Sequence, residues 1–202
     1  MGALTVTPAQ SRLRMYQGET PIGWVTISQR LTADGGKMVE LRTQTGTAPY
    51  LVKTHRQTSY DRDGRLTKVF IEQLTGQARR QIITTFDTVG ATVITADSAS
   101  RTVQKFPWPA GAVLTRPSEF WFLRVPPAPG ATCEFTDFDP LTLTFKPVKV
   151  TYVGQEVVVV VRQNKTLAKI ITRQGDSETP AWVDETGLPA RVRDRSGMHL
   201  ER

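Results

Sequence analysis

A chain of 202 residues with 39% hydrophobic and 22% charged side chains can build one packed core, and its composition is not that of a disordered protein. Its 26 basic and 19 acidic residues leave a net charge of +7, yet the cations fall singly or in pairs such as Arg79-Arg80; a long basic tract and an RNA-binding aromatic signature are missing, so nucleic acid is set aside as the partner. Cys133 is the single cysteine, which excludes an internal disulfide and a thiolate metal cluster, and no apolar stretch approaches the ~18 residues of a membrane-spanning helix.

The opening Met1-Gly2-Ala3-Leu4-Thr5-Val6 has neither the basic entry nor the apolar stretch of a secretory leader. Val6 stands where N-myristoylation needs Ser or Thr. That leaves a cytoplasmic protein, or an exported one whose leader lies outside this sequence.

From Ile22 onward the dominant pattern is period-two alternation broken by turn residues. Ile22 to Leu31 sets Val25, Ile27 and Leu31 on one face and Trp24, Thr26 and Ser28 on the other. Asp34-Gly35-Gly36 turns the chain into Lys37 to Thr45, with Val39 and Leu41 on one side; strand, Asp-Gly turn, strand is a hairpin signal because glycine accepts positive φ. Tyr50 to Tyr60, Arg65 to Leu74, Gln77 to Phe86 and Ala91 to Ala96 come next as strands, separated by Asp61-Arg62-Asp63-Gly64, Gly76 and Gly90. Short strands at this spacing predict an antiparallel meander.

Between Arg101 and Gly130 six prolines (Pro107, Pro109, Pro117, Pro126, Pro127, Pro129) interrupt the pattern. Ser118 to Arg124 reads as a short helical turn with Ser118 as its cap, and the prolines after it forbid a long helix. The expectation is a Pro-rich crossover over 101–130, inserted in one β-rich domain spanning 1–202, whose aromatics Trp108, Phe120, Trp121 and Phe122 need burial. Strands resume at Thr132 to Phe138, Leu141 to Val153, Gln155 to Val161 and Lys165 to Arg173, with tight and loose turns expected at Tyr152-Val153-Gly154-Gln155 and Arg162-Gln163-Asn164-Lys165. The run Val157 to Val161 reads as a central strand covered on both faces. Ala181 to Asp184, a turn at Glu185-Thr186-Gly187, and Leu188 to Arg193 close the pattern. Tyr60 to Leu66 and Trp182 to Leu188 share one device: an aromatic, an Asp turn ending in Gly, and an apolar return strand.

Catalytic chemistry is thinly represented. The two histidines are His55, in a polar extended segment expected to be solvated, and His199, near the chain's end where mobility is common. A Cys133–His55 nucleophile pair is conceivable, but Cys133 beside Phe135 is more simply a small core residue. Zinc spacing is absent. Asp137 and Asp139 are succeeded at once by Pro140, which fits a strand-end turn better than a calcium loop. Asp184-Glu185 falls in a turn, where solvated acids belong, and neither a phosphate loop nor a G-x-S-x-G elbow occurs.

Bulk on both faces is the residual signal: Trp24 opposes Val25 and Ile27, and Phe70 and Leu74 oppose Val69 and Ile71. A flat sheet with one wet side would not show this. The predicted fold is therefore all-β with minor helix: one strongly curved antiparallel sheet, or half-barrel, with the aromatic crossover over it. Its groove is either filled by Trp108, Phe120, Trp121 and Phe122 or open to an apolar ligand.

Tyr16-Gln17-Gly18-Glu19-Thr20-Pro21-Ile22-Gly23 resembles the opening strand of an uncharacterised bacterial family of exported β-rich domains. That family is related in shape to the lipoprotein-localisation carriers, and similar segments precede the catalytic core of some transglutaminase-like proteins. Pro129-Gly130 through Phe138-Asp139-Pro140, Val148 to Val157 with Gly154 and Glu156, Ala168-Lys169-Ile170, and Trp182 to Arg191 are similar to its second half. The resemblance implies a curved sheet in the cell envelope and, for the carriers, acyl-chain binding; it supplies no catalytic residues, and this sequence carries no transglutaminase core. The expected function is a non-enzymatic binding or accessory protein without cofactor or metal, holding an apolar or amphiphilic, lipid-like ligand, with an envelope protein as a possible partner. Trp24, Trp108, Phe120, Trp121 and Phe122 are the groove or lid candidates, and Arg116 and Arg124 the headgroup candidates. The alternatives are a scaffold pairing through a sheet edge, or a hydrolase or transferase using Cys133 or a carboxylate pair.

Overall fold

The computed structural model describes residues 8–114, 126–194 and 196–202. Among them no helix occurs, and fourteen strands form one antiparallel sheet. They are β1 (Ala9–Gln17), β2 (Thr20–Leu31), β3 (Lys37–Thr45), β4 (Val52–Tyr60), β5 (Leu66–Thr75), β6 (Ala78–Phe86), β7 (Gly90–Ala96) and β8 (Arg101–Pro107), then β9 (Thr132–Asp139), β10 (Thr144–Val160), β11 (Gln163–Gln174), β12 (Ser177–Val183), β13 (Pro189–Arg193) and β14 (Met198–Glu201). Each half is a meander, and β1 pairs with β14, so β8 and β9 are the two ends of the sheet.

One turn recurs. Asp61, Asp184 and Asp194 each begin a D-x-x-G hairpin in which the carboxylate Oδ1 accepts backbone N–H groups two and four residues ahead, at 2.8–3.1 Å. Gly64, Gly187 and Gly197 close these turns at φ +81° to +85°, a conformation glycine adopts without steric penalty. The aspartate supplies an acceptor to N–H groups that the turn leaves without ladder partners.

The sheet is strongly curled. Fourteen flat strands at about 4.8 Å would hold β8 and β9 roughly 60 Å apart, yet the Phe106 and Phe138 rings lie 5.5 Å from each other. The ends overlap instead of zipping. β9 and β10 pair Phe138 with Phe145 and Phe135 with Val148. The Phe135/Val148 side runs through Tyr152, Ile170, Ala181, Val192 and Leu200 to Met15, the core face of the second half. By alternation Phe138 and Phe145 lie on the other side, and that side packs on the core face of β5–β8, against Val69, Ile71, Ile82 and Val93. A second cluster, with Leu13, Met15, Val25, Ile27 and Leu188, fills the middle of the curl.

Several expectations are corrected. Arg101–Pro107, assigned to the crossover, is β8, and β1 and β14 were not anticipated. Gly154 is not a turn: β10 runs straight through it as one strand, with a register shift between Tyr152 and Gly154. The turn after β10 is Val161-Arg162, both at positive φ (49° and 63°). The valine run is covered on one face only: Val158 and Val160 pack on Leu167, Trp182 and Ala190, while Val157, Val159 and Val161 on the other face are exposed. The helical turn expected at 118–124 lies outside the described residues.

Candidate functional site

Where the ends of the sheet overlap, aromatic rings from both halves converge. Phe138 contacts Phe86, Phe106 and Phe145 at centroid distances of 6.0, 5.5 and 4.8 Å, and only 1% of its surface is exposed. Trp108, just past β8, is fixed three ways. Its backbone N–H donates to Val89 O at 3.0 Å, its indole Nε1 donates to Asp87 O at 2.8 Å, and its ring lies 5.9 Å from Phe86 and 4.9 Å from Phe145. The segment beyond is tied to β9 by Thr136 N–H donating to Val113 O and by Val113 N–H donating to Thr136 Oγ1.

Beside this cluster opens a cavity of ≈ 440 Å³, within the range of small-molecule sites. Leu66, Phe86, Trp108 and Leu114 give it apolar walls, and the turn residues Asp61, Arg65 and Asp87 add charge. Two Asp87 N–H contacts, from Gly90 and Val89, hold its carboxyl below the ordinary aspartate range, so it is ionised at neutral pH. The arrangement offers an apolar slot with a charged margin.

Of the residues singled out in the sequence, Trp108 lies in this wall. Trp24 does not: it sits on the outer side of β2, beneath the Arg12 guanidinium at 5.0 Å, beside a separate recess. Arg116, Phe120, Trp121, Phe122 and Arg124 lie outside the described residues. Phe86, Phe106, Phe138 and Phe145 were not anticipated; they come one per strand from β6, β8, β9 and β10, so no local cluster announces them.

Of the titratable groups singled out in the sequence, His55, His199, Asp139 and Asp184 are held in structural contacts. His55, expected to be solvated, is half-buried on the outer side of β4, with Nε2 2.8 Å from Glu40. Burial raises the Glu40 carboxyl, but Arg42 and His55 outweigh it and hold it below the ordinary range. Cys133 of β9 pairs with Val150 of β10, in the layer that packs on the inner side of β5–β8, whereas His55 lies on the outer side of β4 against Glu40, so the Cys133–His55 pair is not assembled. His199 is not in a mobile tail but on β14, stacked on Tyr16 at 4.8 Å. Asp139 accepts from Leu141 N–H and Thr142 Oγ1, each at 2.9 Å, as a strand-end turn does. Asp184, expected to be solvated, is half-buried and ion-paired with Arg202. Among the described residues no group of three or more His, Cys, Asp and Glu is placed to hold a metal ion, and no helix is long and apolar enough to cross a membrane.

A curled antiparallel sheet, open where its ends overlap, defines an all-β, barrel-like protein. Two solved structures are similar to the chain. A β-barrel-like protein of the domain of unknown function DUF1849 from Brucella abortus is similar over 97% of this chain and 95% of its own, with a TM-score of 0.64 and 11% sequence identity. A DUF1089 family protein from Pseudomonas aeruginosa covers 94% of this chain and 92% of its own, with a TM-score of 0.45 and 13% identity. At such identities the first likeness shows the fold alone. No family model matches the chain, and no curated protein sequence does.

Proposed function

We propose that this is a non-enzymatic binding protein whose cavity at the overlap holds an apolar or amphiphilic, lipid-like ligand. The observation that carries the reading is the ≈ 440 Å³ space walled by Leu66, Phe86, Trp108 and Leu114, with Asp61, Arg65 and Asp87 at its turns. Apolar walls with a few polar groups on one margin suit a molecule with a greasy body and a polar end. An envelope location belongs to the same proposal and rests on the sequence resemblance alone, since the comparisons find a DUF1849 protein and no lipoprotein carrier. The proposal places no activity on Cys133 or on a carboxylate pair.

A fluorescent fatty-acid probe tests it, together with native mass spectrometry before and after organic extraction. The wild type is expected to bind the probe, and Leu66→Trp, which fills the slot without removing a wall, to weaken it at least tenfold while leaving the far-UV circular dichroism unchanged. No probe binding and no co-purifying lipid overturns the reading in favour of a scaffold that recruits partners through a sheet edge.

A further inference from the structure

The sheet's outer side carries an uneven charge. Across β13, β14, β1 and β2 the registers set Arg191, Glu201, Arg14 and Trp24 in one row, Arg193, His199 and Tyr16 in the next, and Arg12 beside Thr26 in a third. Arg12, Arg14, Arg30 and Arg193 are exposed, and among the described residues none of them has a carboxylate partner. Glu201, the one carboxylate on the outer side of these four strands, is held by Arg191 at 2.8 Å. Between β1 and β2 lies a shallow recess of ≈ 500 Å³, lined by Arg12, Arg14, Pro21, Gly23 and Trp24 among others.

This surface suits a polyanion, and the aromatic rings decide which. Single-stranded nucleic acid needs open ring faces on which bases can stack. Here Trp24 lies under Arg12 at 5.0 Å, Tyr16 is stacked on His199 at 4.8 Å with the rings 8° from parallel, and Trp182 is buried among Lys169, Arg191 and Arg193 at 5.0 to 5.9 Å. Each of these rings already has a cation or a second ring against a face, and what the surface offers besides is guanidinium groups. A bilayer rich in anionic phospholipid presents phosphates at high density with no bases to stack. It attracts basic side chains, and arginine matches phosphate in bidentate geometry.

We propose that the outer face of β13, β14, β1 and β2 docks on an anionic phospholipid surface, the recess between β1 and β2 taking a phosphate-bearing headgroup. The proposal stands apart from the cavity at the overlap, since it uses the opposite side of the sheet and residues that the cavity does not share.

Vesicle co-sedimentation is the test, with phosphatidylcholine alone and phosphatidylcholine mixed with phosphatidylglycerol, at low and high salt. The full chain is expected to sediment with the mixed vesicles only, and salt should release it. Arg12→Gln/Arg14→Gln should weaken this about thirtyfold, whereas Arg12→Lys/Arg14→Lys, which keeps the charge, stays within about threefold of wild type. Both variants change exposed residues, and an unchanged urea midpoint confirms their fold. Equal binding to pure phosphatidylcholine, or undiminished binding by the glutamine variant, overturns the proposal. So does a single-stranded oligonucleotide that displaces the protein from the mixed vesicles, which would assign the face to nucleic acid.

Discussion

Asp184 is where the two halves of the chain are fastened. Its Oδ1 accepts from Thr186 N–H at 2.9 Å, Thr186 Oγ1 at 2.6 Å and Leu188 N–H at 3.1 Å, while Oδ2 pairs with the Arg202 guanidinium. Arg202 in turn donates through Nε to Ser11 Oγ on β1 at 2.7 Å, and Gln29 on β2 donates to Thr186 O. One carboxylate thus links the β12–β13 turn to the first two strands. With the two side chains only 12% and 21% exposed, removing the acid strands a poorly solvated cation and several N–H and O–H donors. Asp184→Ala should therefore cost about 3–5 kcal/mol, which lowers a urea midpoint by roughly 1–2 M for a chain of this size. Asp184→Asn, which keeps the Oδ1 acceptor but not the charge, should cost about 2 kcal/mol. Burial raises the Asp184 carboxyl, but Thr186, Arg202 and the Leu188 N–H outweigh it, so its folded-state pKa lies below the ordinary value. A depressed folded pKa contributes stability that is complete above the unfolded value of about 3.9 and is lost as pH falls through the folded one. The gap between wild type and Asp184→Asn should consequently close as pH drops below about 4. The exposed Asp97, which accepts from Ala99 and Ser100 N–H at 2.9 and 2.8 Å in a surface turn, is the control. If Asp97→Ala destabilises as much as Asp184→Ala, the fastening argument is wrong.

Two further substitutions probe the overlap and the long hairpin. Phe138→Ala removes the 1%-exposed ring on which both ends of the sheet pack and should cost about 3–5 kcal/mol in urea unfolding, together with binding of the fatty-acid probe; a loss under about 1 kcal/mol would mean that the ends do not depend on one another. Gly154→Ala imposes a side chain at φ +134°, where non-glycine residues are strained. It should destabilise by more than about 1 kcal/mol, and a neutral or stabilising outcome would show that β10 continues without the irregularity at Gly154.

Local order was legible where the physics is local. Alternation with Asp and Gly turns placed β2 through β7 nearly residue for residue, since a D-x-x-G turn satisfies its own backbone groups and needs no distant partner. What failed depended on contacts far along the chain. Gly154 at a turn and Gly154 at an irregularity within one strand look alike until the next segment is seen to keep the same partner, β11. β14 is only four residues long and has meaning because β1 lies beside it. In the candidate site Trp108 was legible as an aromatic that needs cover, and it lies half-buried in the cavity wall. The four phenylalanines around it were not, because Phe138 and Phe145 face the cavity's neighbours only after the β9–β10 hairpin has turned its other side inward.

That inward turn also explains why the sheet stays open and keeps two edge strands. In a closed barrel the last ladder removes both edges; here the ends are joined by ring packing and by the Val113–Thr136 hydrogen bonds, with no ladder between β8 and β9, so much of each edge stays outward. Both carry familiar protection: Arg101, Lys105 and Pro107 on β8, and Glu134, Asp137 and Asp139 on β9, charges and a proline that disfavour pairing with another chain. The stretch of β10 beyond Tyr152 differs. The β9 register ends at Thr151, paired with Thr132, and Val157, Val159 and Val161 are 63%, 56% and 69% exposed. Five consecutive valines would be a template for association if they were longer or flatter. They are bounded instead by Glu156, held by Lys169 at 2.8 Å, and by the Val161-Arg162 turn, while Arg191 donates to Val159 O at 3.0 Å and bends the strand down onto Trp182 and Ala190. Curling thus leaves one apolar edge in addition to the cavity, and the hairpin's own bend, with a charge at each end, keeps that edge short.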